Sequence, residues 1–208
     1  MNPNEIIPLA RTQISRGAII LSQAFFADPF FAYILPNEHK RSHILPWLYQ
    51  KLLAYGHLYG KVDTTQQLEG AAMWLGPHST SLKLHGVLRT GLFLLPLKLS
   101  RLEFRRSTEL ASLSDQLHRE TISGAHFYLA ELGVSPALHG RGLGAALVRK
   151  GLARADQLQL ACYLDTFNPE NVSFYTSLGF ILTGRKSLSP KAPAVLGMLR
   201  EPSYSLQD

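Results

Sequence analysis

The chain has 208 residues, 46% apolar and 17% charged, a balance that supports a substantial buried core and excludes extended disorder. Its formal charge of +6 comes from scattered basic residues without a recognition motif, so nucleic acid is not an expected partner. The single cysteine, Cys162 in the apolar run LACYL, excludes a disulfide framework within the chain and reads as a buried strand thiol in a reducing, cytoplasmic setting.

Residues 6–9 read as a short first strand. From Thr12 the apolar positions Ile14, Ala18, Leu21 and Phe25 recur at helical spacing, and Asp28-Pro29 ends the helix, because the residue before a proline is pushed out of the α region. The rings of Phe25, Phe26, Phe30, Phe31 and Tyr33 cluster there and read first as core. A second helix is predicted over 40–55 from Ile44, Leu48 and Leu52, with Pro46 accommodated in its first turn. Strands over 58–64 and 68–75 follow, joined by a hairpin at Thr65-Gln66-Gln67, with Trp74 half buried.

Residues 80–120 break the alternation of strand and helix. Leu82, Leu88, Leu92 and Leu95 lie on one helical segment, and Leu99, Leu102, Leu110, Leu113 and Leu117 on a second, with Pro96 between them. So much leucine does not suit a loop, and the segment reads as a helical insert over one end of the sheet. A lid over a binding site and a homodimer surface are both open. Its window GLFLLPL is too short to span a bilayer, which takes about 20 residues, and no N-terminal signal pattern is present, so no membrane is expected. Residues 83–106 carry six Lys/Arg against one acid, Glu103, which suits a solvated helix face or a surface for phosphates. No repeat, HExxH, CxxC or GxSxG motif occurs, and the eight histidines are dispersed, so no metal or serine-hydrolase site is expected.

The informative stretch is 127–180. An apolar run, 127–134, stops at Ser135-Pro136, passes Gly140, Gly142 and Gly144, and enters a helix marked by Leu143, Leu147, Val148, Leu152 and Ala155. Alternate glycines let main-chain N–H groups approach a phosphate at a helix N-terminus, where the dipole adds about half a positive charge. Arg141 and Arg149 are candidates to supplement it. Gly140, Gly142 and Ala145 also fit the GxGxxA dinucleotide fingerprint, with Asp165 as its acid. That fold, however, needs its first glycine directly after the strand, and Ser135-Pro136-Ala137-Leu138-His139 intervene.

Together, LGVSPALHGRGLGAALV and NPENVSFYTSLGF resemble the two signatures of the GNAT superfamily of acetyl-CoA-dependent N-acyltransferases, over about residues 125–200. His139 stands where that family has Gln or Arg. The resemblance implies a single α/β domain, with a mixed, mainly antiparallel sheet flanked by helices, and acetyl transfer from acetyl-CoA to a small-molecule or peptide amine without a covalent enzyme intermediate. It assigns the acyl-CoA cradle to Leu132, Gly133, Val134, His139, Gly140, Arg141, Gly142, Leu143, Gly144 and Ala145. Asn168 would bond the pantetheine or fix its loop. Tyr175 falls where the family tyrosine protonates the departing thiolate, and some rings between Phe25 and Tyr33 would line the acceptor pocket. The base is open between Glu131 and Asp165. Strict alternation along the strand sets Tyr128, Ala130 and Leu132 on one face and Leu129, Glu131 and Gly133 on the other. A non-catalytic acetyl-CoA sensor is the alternative reading.

Overall fold

The structure is a computed structural model and describes residues 5–203. Strand β1 (Ile6–Pro8) is followed by helices α1 (Ile14–Ala24), α2 (Pro29–Ile34) and α3 (Glu38–Tyr59), then by strands β2 (Lys61–Thr65) and β3 (Gly70–Leu75). The insert folds as α4 (Leu84–Thr90), a 3-10 helix (Leu92–Lys98) and α5 (Arg101–Thr121). The remainder runs β4 (Phe127–Val134), α6 (Leu143–Gln157), β5 (Cys162–Thr166), α7 (Asn171–Thr176), β6 (Ile181–Lys186) and β7 (Val195–Arg200). One seven-stranded sheet results, in the order β1-β2-β3-β4-β5-β7-β6. Every neighbouring pair is antiparallel except β4 and β5. The expected α/β class, a mainly antiparallel sheet flanked by helices, is what forms.

Two cores explain why both sheet faces are apolar. On one, Ala18 and Leu21 of α1, Leu45, Tyr49 and Leu53 of α3, and Ala71 and Met73 of β3 pack together. On the other, Leu147, Val148, Leu152 and Ala155 of α6 cover Ala72, Trp74, Leu129, Cys162 and Leu164, the i, i+3, i+4 stripe of an amphipathic helix. The insert helix α5 starts at a Ser100/Glu103 capping box and lies over β5, β6 and β7. Its Leu117 fills the space above Gly184 and Gly197, and its His118 ring stacks on Tyr163 at 4.1 Å. Burial pushes His118 down to about 4. Among the described residues no helix is long and apolar enough to cross a membrane.

Several expectations need correction. Asp28-Pro29 begins a helix instead of ending one: Asp28 is the N-cap of α2, its Oδ1 accepting from the Phe30 N–H at 2.9 Å, with proline at the first position where its missing N–H is not needed. The helix α3 begins earlier, capped by Asn37, so Pro46 lies in its interior. The lost bond is that to the carbonyl of Ser42, an exposed residue whose oxygen water can reach. The same helix runs on to Tyr59, and β2 therefore starts at Lys61. Of the insert's leucines, Leu82, Leu88 and Leu102 are exposed, while Leu92, Leu110 and Leu117 are buried.

Trp74, expected to be half buried, is only 1% exposed. Its indole sits directly against the backbone of α6: a Cβ on Gly151 would fall 2.1 Å from Trp74 Cε2 and 2.3 Å from Nε1. Gly151→Ala is therefore expected to destabilise the protein by about 1–3 kcal/mol through overpacking, read as a lower urea midpoint at unchanged slope. An unshifted midpoint would mean that the indole can move aside.

Candidate active site

The parallel pair at the sheet centre is short. Only Phe127↔Cys162 and Tyr128↔Tyr163 are in register between β4 and β5. β5 nevertheless stays paired to β7 through Thr166, and β4 to β3 through Val134. Beyond Tyr128 the two strands part and leave a gap.

The parting coincides with a β-bulge. The β3–β4 register steps from Trp74↔Leu129 to Met73↔Glu131, which makes Ala130 the extra residue. Alternation is broken there, so Ala130 and Glu131 face the same side. Ala130 packs on the α1–α3 core, and Glu131 Oε2 accepts from the Tyr49 hydroxyl of α3 at 3.4 Å. After the bulge, Leu132 and Val134 pack toward α6. Gly133 faces α1, where a Cβ would fall 2.7 Å from Leu21 and 2.9 Å from Ala24. The expected grouping of Glu131 with Leu129 is thus corrected: one extra residue turns the carboxylate from the α6 core into a cavity on the opposite face.

Main-chain donors follow the same geometry. The Ser135 N–H donates to the Glu69 carbonyl at 2.8 Å, away from the gap, and donors alternate along a strand. The N–H groups of Leu132 and Val134 accordingly point into the gap, and that of Gly133 points toward β3. Gly133 contributes smallness, not a donor.

At the mouth of the gap, Gly140 and Gly142 have φ of +79° and +77°, a left-handed conformation that side chains disfavour. A Cβ at either would meet nothing within 4 Å, so the backbone conformation and not packing calls for glycine there. Gly142 is the N-cap of the 15-residue α6. A cavity of about 420 Å³ is lined by Leu132, Gly133, Val134, His139, Gly140, Gly142, Gly144 and Ala145, together with Tyr175. His139 also closes the turn, its Nε2 3.2 Å from the Val134 carbonyl. Three side chains singled out in the sequence lie elsewhere. Arg141 and Arg149 are exposed and line no wall of this cavity, and the Leu143 side chain is buried beneath the loop.

Asn168 fixes its own loop: its Oδ1 accepts from the Glu170 N–H at 3.1 Å, and its N–H donates to Thr166 Oγ1 at 3.2 Å. It lines neither this cavity nor the next. Asn171 lines both, and its Nδ2 donates to Thr166 Oγ1. Sequence reasoning passed over Asn171, the first residue of α7, because two asparagines stand three residues apart and the family signature picks out the first.

A second cavity, of about 360 Å³, meets the first at Leu132, Asn171 and Tyr175. Phe25, Phe30, Phe31, Phe167 and Tyr128 line it, with Leu82, Ala111 and Ser114 from the insert and three carboxylates, Asp28, Glu131 and Asp165. Burial and the neighbouring Asp28 and Asp165 push Glu131 up to about 8, against the pull of the Tyr49 hydroxyl. Burial also raises Asp28 and Asp165. The hydroxyls of Ser114 and Tyr128 donate to Asp165 at 2.7 and 2.8 Å. Tyr175 is 7% exposed, and its phenol is raised by burial first and by the three acids next. Asp28 was missed as a site residue because Asp-Pro carries a strong local meaning, and only the packing of α2 against the sheet brings it here.

The sheet thus parts at its one parallel pair, with a glycine loop and a helix N-terminus at the opening. Residues 109–180 match a family model described as Acetyltransferase (GNAT) family. The chain is 26% identical over 197 residues to an uncharacterized N-acetyltransferase of Schizosaccharomyces pombe, across 90% of this chain and 79% of that one. It superposes on a crystal structure of a histone acetyltransferase HPA2 and related acetyltransferase from Corynebacterium glutamicum with a TM-score of 0.66, at 20% identity over 97% of each chain. For arylalkylamine N-acetyltransferase 2 from Aedes aegypti the TM-score is 0.63, at 13% identity over 96% of this chain and 99% of that one. The chain thus resembles GNAT acetyltransferases in fold and over residues 109–180 in sequence, and the matched segment contains the bulge, the glycine loop and Tyr175.

Proposed function

We propose that the protein transfers the acetyl group of acetyl-CoA to a primary amine by direct attack. The observation that carries this reading is Tyr175 at the junction of two cavities, one walled by main chain and glycine, the other by aromatic rings and carboxylates. The first suits acetyl-CoA: Leu132 and Val134 offer N–H groups with no strand partner, and the loop has open space beside Gly140 and Gly142. When bound, acetyl-CoA supplies a thioester whose C–S bond breaks as the C–N bond to the amine forms.

The remaining work belongs to the chain. The N–H groups of Leu132 and Val134 favour negative charge developing on a carbonyl oxygen in the gap. An amine of pKa near 10.4 must shed a proton before or during attack, and Glu131 in the acceptor cavity is placed to receive it. The Tyr175 hydroxyl gives a proton to the sulfur. Cys162 takes no part: it lies in the α6-side core and burial pushes its thiol up to about 12. A sensor without catalysis would have no use for three acids facing Tyr175.

Calorimetry with acetyl-CoA and a broad amine panel scored by free thiol test the reading. Heat on titration and thiol release with at least one amine are expected. Gly142→Val should weaken acetyl-CoA by about tenfold, since the free loop would relax out of a positive φ that costs a side chain roughly 1–2 kcal/mol and would have to regain it on binding. No heat with acetyl-CoA, or no thiol release with any amine, would end it.

A further inference from the structure

We propose that the acceptor is a dication, a primary amine carried on an apolar spacer with a second cationic nitrogen that is not acetylated. The inference rests on the acetyl-transfer reading above and names its substrate class. It starts from charge. The acceptor cavity is lined by three carboxylates and by no Lys, Arg or His, and no described salt bridge reaches Asp28, Glu131 or Asp165.

The three acids are not equivalent. Each oxygen of Asp165 accepts from a hydroxyl, Ser114 on one and Tyr128 on the other, so this acid is internally satisfied. Asp28 has Oδ1 taken by the Phe30 N–H, and no described donor reaches Oδ2. Glu131 has Oε2 bonded to Tyr49, and no described donor reaches Oε1. Two carboxylates, in one cavity, therefore each keep an oxygen without a protein donor. Both line the same cavity as Asp165 and Tyr175.

Their surroundings divide the roles. Glu131 sits on β4 beside Leu132, next to the gap, where the reacting amine must lie. Asp28 stands among Phe25, Phe30 and Phe31 at the start of α2. A carboxylate that shares a cavity with several aromatic rings suits a cation, which charge and ring quadrupoles can hold together. The same cavity is also lined by Leu129, Ala130 and aromatic carbon, which suits methylenes. A monoamine of the same length would set an apolar end against the unpaired Asp28 oxygen, and an unsatisfied buried acceptor costs about 1–3 kcal/mol, a five- to 150-fold penalty.

The test compares α,ω-diaminoalkanes with n-alkylamines of matched length, using kcat/KM for thiol release from acetyl-CoA, with a lysine-initiated peptide amide as a third arm. The best diamine is expected to exceed its matched monoamine by at least about tenfold. Preference for the peptide over the diamine would identify a peptide as the source of the same chemistry. Asp28→Asn retains an oxygen to cap α2 and should collapse the diamine-to-monoamine ratio toward unity. A monoamine used as well as its diamine, or a ratio untouched by Asp28→Asn, overturns the inference while leaving acetyl transfer standing. If no amine is acetylated, the transfer reading fails separately. The inference is then judged by calorimetric binding of the diamine, expected for the wild type and lost in Asp28→Asn, and no binding to the wild type overturns it.

Discussion

Tyr175→Phe is expected to lower kcat by about a hundredfold or more while leaving the affinity for acetyl-CoA within a factor of about two, the signature of a lost proton donor. The ring would stay in place, since Phe174 and Phe180 pack against it at centroid distances of 5.0 and 6.0 Å, contacts that do not involve the hydroxyl. An isolated phenol titrates near 10 and a thiol near 8.5, and burial raises Tyr175 further. The same enclosure raises a thiolate beside it, so the phenol still finds a base to protonate. Below neutral pH the loss should persist, because the phenol is fully protonated there. Turnover unchanged in the variant, measured by thiol release alongside calorimetry, would remove Tyr175 from the proton path.

Glu131→Gln should have an effect of similar size on kcat/KM, about a hundredfold, and should change the shape of its pH profile. With Glu131 near 8, the wild-type base is protonated at lower pH, so kcat/KM rises toward pH 8 and this limb then levels. The variant should lose the limb and retain only the acceptor's own ionisation. Stability moves oppositely. A carboxyl raised on folding supports the fold most when protonated, below its ordinary value of 4.5, and that support is lost as pH rises to about 8. The variant should therefore gain stability relative to wild type between those limits, seen as a melting-temperature difference that widens with pH. A wild-type limb preserved in the variant would assign the base elsewhere, with Asp165 next in line.

What the sequence revealed depended on whether the information was local. The glycine loop, its helix and the FYTSLGF segment carry their geometry in consecutive residues, and the structure gathers most of the expected loop residues around one cavity. The bulge at Ala130 could not be read, because nothing in FYLAELGV marks which residue lacks a partner; that depends on β3. Parity counted from sequence then sent Glu131 to the wrong face. Asp28 was legible as punctuation and not as chemistry, and Trp74 as amphipathic although Gly151, far along the chain, leaves room to bury it. The aromatic residues from Phe25 to Tyr33 did more than either expectation alone: Phe25 and Phe31 belong to the core or pack against it and also line the second cavity. The insert contributes Leu82, Ala111 and Ser114 to that cavity, where its leucine spacing had left a lid and a dimer surface both open.

The short ladder between β4 and β5 has a further consequence. With only two residue pairs bridging them, the sheet has a narrow waist, and whatever occupies the slot supplies the rungs that the strands withhold. A guest bound there belongs to the tertiary structure as much as to the reaction, because binding to the folded form alone stabilises it by RT ln(1 + [L]/Kd). With the acyl donor proposed above as that guest, resistance to unfolding is expected to rise and fall with its supply, and a starved pool would leave the sheet open along that seam.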